Sequence, residues 1–229
     1  MERGQLLGSG RSAEVFALDG AWVLRRLHSE GDATHEATVM GHLSAHGYPV
    51  PAIKSVDASA GLVMQRLYGK TMLRAWADGE ISVPDAAATL AKLLHQLHAV
   101  PARSAAHPED RILHLDLHPD NVMLTPHGPM VIDWCTTAEG PPGLDWAMSA
   151  LLLAEAATDP AHAETGVAAG ARSMLTELLG HLHNARELVA EQPNLLARAT
   201  ARRAADPHLS PAERARLQDA AALVNTLAS

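Results

Sequence analysis

The stretch HLDLHPDN, His114–Asn121, decides the fold, and VIDW, Val131–Trp134, completes the pattern that it begins. Together they place Asp116, Asn121 and Asp133 within one short segment of the chain. Magnesium in proteins is held by carboxylate and amide oxygens together with phosphate oxygens. The segment therefore predicts a phosphoryl-transfer site, with Asp116 as the base for a hydroxyl proton and Asn121 and Asp133 as magnesium ligands.

The spacing of these residues is typical of a catalytic loop. His-x-Asp-Leu-x-x-x-Asn, followed by a strand that ends in Asp, is the pattern of enzymes with a kinase-like fold. We expect His114 and His118 to hold this loop in place rather than to exchange protons. Zinc is the alternative for a chain with 14 histidines, but a cysteine cluster and a His-Glu-x-x-His motif are both missing from the sequence. The other histidines are expected to be surface or packing residues, among them His95, His98, His181 and His183.

A glycine-rich hairpin is predicted near the start of the chain. Gly8-Ser9-Gly10 forms the expected loop, and a strand and the Asp19-Gly20 turn signal follow it. This strand–loop–strand order excludes a dinucleotide fold or a P-loop, both of which need a helix after the loop. Backbone N–H groups of such a hairpin can approach nucleotide phosphates. The nucleotide-binding residues predicted here are Gly8, Ser9, Gly10, Ser12 and Val15.

Further nucleotide contacts are predicted from position. Arg25 lies on the strand after the hairpin, where the kinase pattern has a lysine, and Glu36 in the following helix is its expected partner. Arginine brings a permanent charge that suits phosphate geometry. The strand ending near residue 65 has the form of a hinge between two lobes. We expect an adenine to bond there to the Gln65 carbonyl and the Leu67 N–H.

The sequence changes character between residues 68 and 80, where strand-like segments give way to Ala- and Leu-rich helices. Leu90, Leu93, Leu94 and Leu97 form one apolar stripe at helical spacing, and Trp146–Ala157 reads as a buried helix. We predict an α+β fold with two lobes. Residues 1–67 form an antiparallel β-sheet lobe with one helix that binds nucleotide, and residues 68–229 form a mainly α-helical lobe for catalysis and substrate.

Three stretches resemble the aminoglycoside phosphotransferase family, which also includes choline and homoserine kinases. They are HLDLHPDNV from His114, VIDW from Val131 and GLDWA from Gly143. The resemblance implies a protein-kinase-like two-lobe fold, ATP or GTP as phosphate donor and Mg²⁺ as cofactor. It also implies that Asp145 supports the catalytic loop.

The composition of the chain limits its possible binding partners and its expected cellular location. A net charge of −8 with neutral histidines argues against nucleic acid or an anionic membrane as partner. The sequence has no run that approaches the roughly 20 apolar residues of a membrane span. One cysteine, Cys135, fits a reducing compartment, and the first residues lack the apolar region of a signal peptide. The expected location is the cytoplasm, and the oligomeric state is left open.

These observations support two hypotheses of different classes. The first is a magnesium-dependent small-molecule kinase that moves the γ-phosphate of ATP or GTP to a hydroxyl group. Its acceptor could be a cationic aminoglycoside or related antibiotic, which would imply resistance, or a metabolite of the choline or homoserine type. The second is a pseudokinase-like module that binds nucleotide without transfer, motivated by Arg25 at the lysine position and by a short helical lobe.

Overall fold

The computed structural model describes residues 4–10, 13–28, 33–57, 61–104, 107–190 and 194–229. Ser12, which was predicted to bind nucleotide, lies outside the described residues. Within the described part, an antiparallel sheet with one helix comes first and a mainly helical part follows, as predicted.

The first part of the chain is a five-stranded antiparallel sheet in the order β1-β2-β3-β5-β4. Its strands are β1 (Leu6–Ser9), β2 (Ala13–Ala17), β3 (Trp22–Leu27), β4 (Ile53–Asp57) and β5 (Gly61–Gln65). The carboxylate of Asp19 accepts hydrogen bonds from the amides of Ala21 and Trp22, which closes the predicted β2–β3 turn. Helix α1 (Ala33–Ala45) packs on β4 and β5 and buries Val39, Met40 and Leu43.

The second part of the chain combines helices with two small sheets. Its helices are α2 (Met72–Ala77), α3 (Val83–Leu97), α4 (Pro142–Thr158), α5 (Val167–Gly180), α6 (Leu195–Ala204) and α7 (Pro211–Ala228). Its strands are β6 (Lys70–Thr71), β7 (Arg111–Leu113), β8 (Val122–Thr125), β9 (Gly128–Val131) and β10 (Ala138–Gly140). One sheet has the order β6-β8-β9, and β7 pairs with β10.

Local sequence accounts for the helices. The predicted leucine stripe of α3 is buried, and Ser82 caps the helix by accepting a hydrogen bond from the Asp85 amide. Ser210 and Glu213 form a capping box at the start of α7. Helix α4 is apolar on nearly every side because α5, α6 and α7 all pack against it. It is therefore the central element of the helical part.

The segment between β7 and β8 is positioned by the core on both of its sides. Ile112 and Leu113 end β7 in the core, Val122 begins β8 there, and Leu115 and Leu117 are also buried. Residues 114–121 are thus held at a fixed place on the helical part. In the described parts of the chain, no helix has both the length and the apolar content needed to cross a bilayer.

A glycine at the start of β5 provides a test of this architecture. Gly61 has φ +115°, and a Cβ there would lie 2.1 Å from the carbonyl oxygen of Arg25 in β3. Gly61→Ala should therefore lower the free energy of unfolding by about 2 to 4 kcal/mol, measured by chemical denaturation. Gly79 also has a positive φ but open space around it, so Gly79→Ala should cost only about 1 kcal/mol. Equal losses would show that the close β3–β5 approach is absent.

Candidate active site

The catalytic loop brings Asp116 and Asn121 into direct contact. The Asn121 side-chain Nδ2 donates to the Asp116 carbonyl oxygen at 2.8 Å and to its carboxylate Oδ2 at 3.1 Å. The short 3₁₀-helix Pro119–Asn121 makes this contact possible because it turns the chain back within a few residues. His118 caps that helix, since its Nδ1 accepts a hydrogen bond from the Asp120 amide.

His114 is a buried connector between the loop and the segment that carries Asp133. Its Nδ1 accepts from the Asp116 amide at 3.2 Å, and its Nε2 lies 3.0 Å from the carbonyl oxygen of Ile132. A backbone amide can only donate and a carbonyl can only accept, so the proton of this imidazole is on Nε2. The ring also packs on Trp134, with 4.5 Å between centroids. His114 therefore ties two site segments together.

A fully buried carboxylate holds the start of the loop. Asp145 in α4 accepts hydrogen bonds from the amides of His114 at 2.9 Å and Leu115 at 2.7 Å, and His98 Nε2 lies 3.1 Å from its Oδ2. Leu115 has φ +61°, a left-handed conformation that costs a leucine about 1 to 2 kcal/mol. The charge-assisted bonds to Asp145 offset that strain and fix the turn that leads to Asp116.

Asp133 lies beyond β9 and forms an ion pair with Arg25 of β3. Arg25 Nη2 donates to Asp133 Oδ1 at 2.6 Å, while its Nη1 donates to Glu36 Oε2 at 2.7 Å. Glu36 Oε1 in turn accepts a hydrogen bond from the Trp134 amide at 3.2 Å. The predicted Arg25–Glu36 pair is thus present, and it extends to Asp133 across the two parts of the chain.

The charges of these groups depend on their surroundings. Burial alone would raise the pKa of Asp116, but the neighbouring imidazole of His118 lowers the pKa below the ordinary value of 3.8. Asp116 is therefore a carboxylate at neutral pH. Burial raises the pKa of Glu36, and Arg25 opposes that shift. Burial would lower the pKa of Arg25, but the carboxylates of Glu36 and Asp133 raise it.

Two residues of the site were not expected from the sequence. His98 was expected only to lie on the surface or pack, yet it contacts the carboxylate of Asp145. Cys135 was treated only as an indicator of compartment, yet its Sγ donates to Asp133 Oδ1 at 3.0 Å. Burial raises the pKa of Cys135 to about 12, helped by the charge of Asp133, so it stays a thiol donor. The position of His98 one residue beyond α3 was the available signal for its role.

The predicted nucleotide residues of the sheet lie along one hairpin. Gly8 and Ser9 belong to the end of β1 rather than to a loop, and Gly10 begins the connection to β2. Gly8 pairs with Val15, and an irregularity in the β1–β2 register lies between Leu6 and Gly8. A Cβ at Gly8 would meet no atom of the described residues within 4 Å. The packing of these residues thus gives no reason for a glycine at this place.

The predicted hinge is tied to the sheet. Gln65 ends β5, and Leu67 lies in the connection to β6. Between them, Arg66 donates from Nη1 to the Asp19 carbonyl at 3.1 Å, and Tyr68 Oη donates to the Gly20 carbonyl at 2.7 Å. Both bonds anchor the connection to the β2–β3 turn. The two residues predicted to contact adenine, Gln65 and Leu67, are therefore held beside that turn.

The donor set fits a divalent cation that arrives with phosphates. Asn121 uses its Nδ2 on Asp116, which leaves its amide oxygen for another partner. Asp133 supplies a carboxylate on the neighbouring segment. Among the described residues, no three His, Cys, Asp or Glu side chains converge into a self-contained metal site. The set therefore suits magnesium, which keeps phosphate and water oxygens among its ligands.

Comparison with known proteins identifies the family of the chain. The model of the phosphotransferase enzyme family matches residues 3–111 and 102–188. The chain belongs to this phosphotransferase family. The resemblance noted in the sequence is thereby confirmed. A search of curated proteins found no match in sequence.

Solved structures of the family share the fold. A choline/ethanolamine kinase family protein from Mesorhizobium loti is 16% identical and has a TM-score of 0.59, with 97% of this chain and 92% of that chain covered. The ADP-bound aminoglycoside phosphotransferase APH(2'')-Ib is 14% identical, with a TM-score of 0.59 and coverage of 99% and 94%. Amicoumacin kinase hAmiN, in complex with AMP-PNP, Ca2+ and Ami, is 13% identical, with a TM-score of 0.56 and coverage of 98% and 88%. The predicted kinase-like fold is confirmed.

The role of Asp145 can be tested through stability and pH. Asp145→Asn should lower the free energy of unfolding at neutral pH by about 3 kcal/mol, because an amide cannot serve all the donors that the carboxylate serves. Burial would raise the pKa of Asp145, but His98 and then His114 lower it below 3.8. This contribution is therefore complete above pH 3.8 and is lost as the pH falls through the lower pKa of the folded state.

Urea denaturation of both proteins between neutral and acid pH measures the effect. The difference between wild type and Asp145→Asn should shrink at the acid end. Asp219→Asn, at an exposed position of α7, is the control and should leave stability nearly unchanged. A constant difference at all pH values would contradict the proposed charge of Asp145.

Proposed function

We propose that this protein is a magnesium-dependent small-molecule kinase that transfers the γ-phosphate of ATP or GTP to a hydroxyl group. The observation that carries the proposal is the contact between Asp116 and Asn121 in a loop clamped by Asp145, with Asp133 on the adjoining segment. Family membership supports phosphotransfer. The carboxylate and amide groups supply what that chemistry needs near the reacting atoms.

In this proposal each side chain has one task. Asp116 accepts the proton of the acceptor hydroxyl. The hydroxyl oxygen attacks the γ-phosphorus, and the bond between the γ-phosphorus and the bridging oxygen of the β-phosphate breaks. Asn121 and Asp133 would hold Mg²⁺, which neutralises charge on the phosphate oxygens when it is bound. Arg25 is proposed to contact the α- and β-phosphates while Glu36 orients it.

A nucleotide-binding module without transfer is the second candidate, and one observation favours it. Arg25 holds Asp133 Oδ1 at 2.6 Å, so the cation competes with a metal ion for a proposed ligand oxygen. The ionised Asp116, which is hydrogen-bonded to Asn121, argues against a module without transfer activity. Screening for phosphate transfer to aminoglycosides, macrolides, amino alcohols and sugars separates the two. Transfer to any acceptor supports the kinase, and nucleotide binding without transfer supports the module.

The proposed base and metal ligand can be tested separately. Asp116→Asn should lower turnover with the acceptor found in the screen by roughly two to four powers of ten, with little change in nucleotide affinity. Asp133→Asn should abolish the rise in melting temperature that Mg²⁺–ATP gives the wild type. Glu109→Gln, an exposed carboxylate before β7, is the control for both measurements. Full activity of Asp116→Asn would show that the base is misassigned.

The glycine hairpin gives an independent test of nucleotide binding. Gly8→Val places a side chain where the protein leaves open space, and valine suits a strand, so the melting temperature without ligand should hardly change. The side chain would obstruct a phosphate that approaches the backbone, so the Kd for Mg²⁺–ATP should rise roughly tenfold or more, measured by titration calorimetry. Gly41→Val, in an exposed turn of α1, should leave that Kd unchanged. An unchanged Kd for Gly8→Val would exclude the hairpin from the site.

A further inference from the structure

A cleft of about 400 Å³ lies beside the catalytic loop. His118, Pro119 and Asp120 of the loop line it, together with residues of helices α2, α4, α5, α6 and α7 and of the connection between α4 and α5. A hydroxyl compound in this cleft would lie next to Asp116, because His118 is 3.8 Å from the Asp116 carboxylate. The cleft is therefore the place for the phosphate acceptor of the proposed reaction.

One wall of the cleft is apolar and built around an indole ring. It consists of Trp76 from α2, Leu152 of α4, and Val167 and Met174 of α5. The indole lies directly on the backbone of α5, since a Cβ at Gly170 would come within 1.9 Å of the Trp76 ring. The indole can pack here only because residue 170 has no side chain. Such a surface binds the apolar face of a ligand.

A second group of lining residues, the charged wall, contains acids that already have partners. Arg203 Nε donates to Glu155 at 3.0 Å, and Arg216 Nη2 donates to Asp159 at 2.9 Å. Glu213 accepts a hydrogen bond from the Ser210 amide in the capping box of α7. Three of the four carboxylates in the lining are thus held by groups of this chain, and the fourth, Asp120 of the loop, is exposed. Several ammonium groups would have to displace those guanidinium groups to be paired.

We propose that the acceptor is a small amphipathic alcohol with one apolar face and at most one basic nitrogen, rather than a polycationic amino sugar. This inference rests on the proposed kinase function and adds the class of substrate. The apolar face would lie on Trp76 and Met174, and the hydroxyl groups would face the loop and the charged wall. The cleft volume is at the lower end of the roughly 300–1,000 Å³ that hold drug-sized ligands, which favours a small acceptor.

The test compares two sets of acceptors with the full-length protein and Mg²⁺–ATP. The first set contains phenylethanolamine, phenyl glucoside and short alkyl glucosides, and the second contains aminoglycosides with several ammonium groups. Phosphate transfer gives kcat/KM for each compound. Calorimetric binding with a non-hydrolysable nucleotide gives Kd even where transfer is slow. The expected result is preference for the first set in both measurements.

Two variants connect that preference to the apolar wall. Trp76→Ala should raise KM or Kd for the first set roughly tenfold, the factor that corresponds to about 1.4 kcal/mol of lost contact. Val167→Asp puts a carboxylate into the same wall at the first position of α5, where a helix tolerates an acid, and should have the same effect. Trp22→Ala, in β3 of the sheet, is the matched aromatic control and should not change the preference.

A third variant tests the charged wall. Arg216→Gln releases Asp159 from its ion pair, so kcat/KM or affinity for the polycationic set should rise relative to the wild type. Preference of the wild-type protein for aminoglycosides, with no effect of Trp76→Ala, would overturn the inference while leaving the kinase function intact. Failure of the wild-type protein to bind Mg²⁺–ATP, or nucleotide binding without phosphate transfer to either set of acceptors, would instead count against the proposed kinase function. Binding of the first set through Trp76 would still support the acceptor class in that case.

Discussion

The site depends on one buried carboxylate and two backbone amides. Asp145, at the start of the central helix α4, accepts from the amides of His114 and Leu115 and so sets the direction in which the loop leaves β7. The left-handed conformation of Leu115 is stable only because this acceptor is present. Every later contact, from the Asp116 carboxylate to the Asn121 amide, follows from that turn.

A second set of charges joins the sheet to the loop. Arg25 pairs with Glu36 of α1 and with Asp133 beyond β9, so one guanidinium group bridges the sheet and the helical part, beside the hydrogen bond from the Trp134 amide to Glu36. Such a connection is expected to respond to nucleotide, because phosphates offer Arg25 a stronger partner than a half-exposed carboxylate. Binding of nucleotide and the conformation of Asp133 are therefore coupled in the proposed mechanism.

The sequence predicted the arrangement of residues that are close together along the chain, but it did not predict contacts between residues that are far apart in the sequence. Asp116 and Asn121 are five residues apart, so the sequence motif placed them in one loop, and the structure adds a direct hydrogen bond between them. Arg25 and Glu36 were paired because a known pattern links a strand to the next helix. His98 and Asp145 are separated by 47 positions, and no spacing rule connects them. Apolar periodicity predicted the leucine stripe of α3, which the structure buries.

The cleft beside the loop could not be predicted, because α2, α6 and α7 carry no sequence motif that places them around it. The central claim is that this protein transfers phosphate to an alcohol, and ³¹P NMR of a reaction with Mg²⁺–ATP and the acceptor sets tests it most directly. The expected result is a phosphomonoester signal, coupled to carbon-bound protons of the acceptor, that appears together with ADP and disappears in Asp116→Asn. A spectrum that shows only ATP, or only ADP and inorganic phosphate, would contradict it.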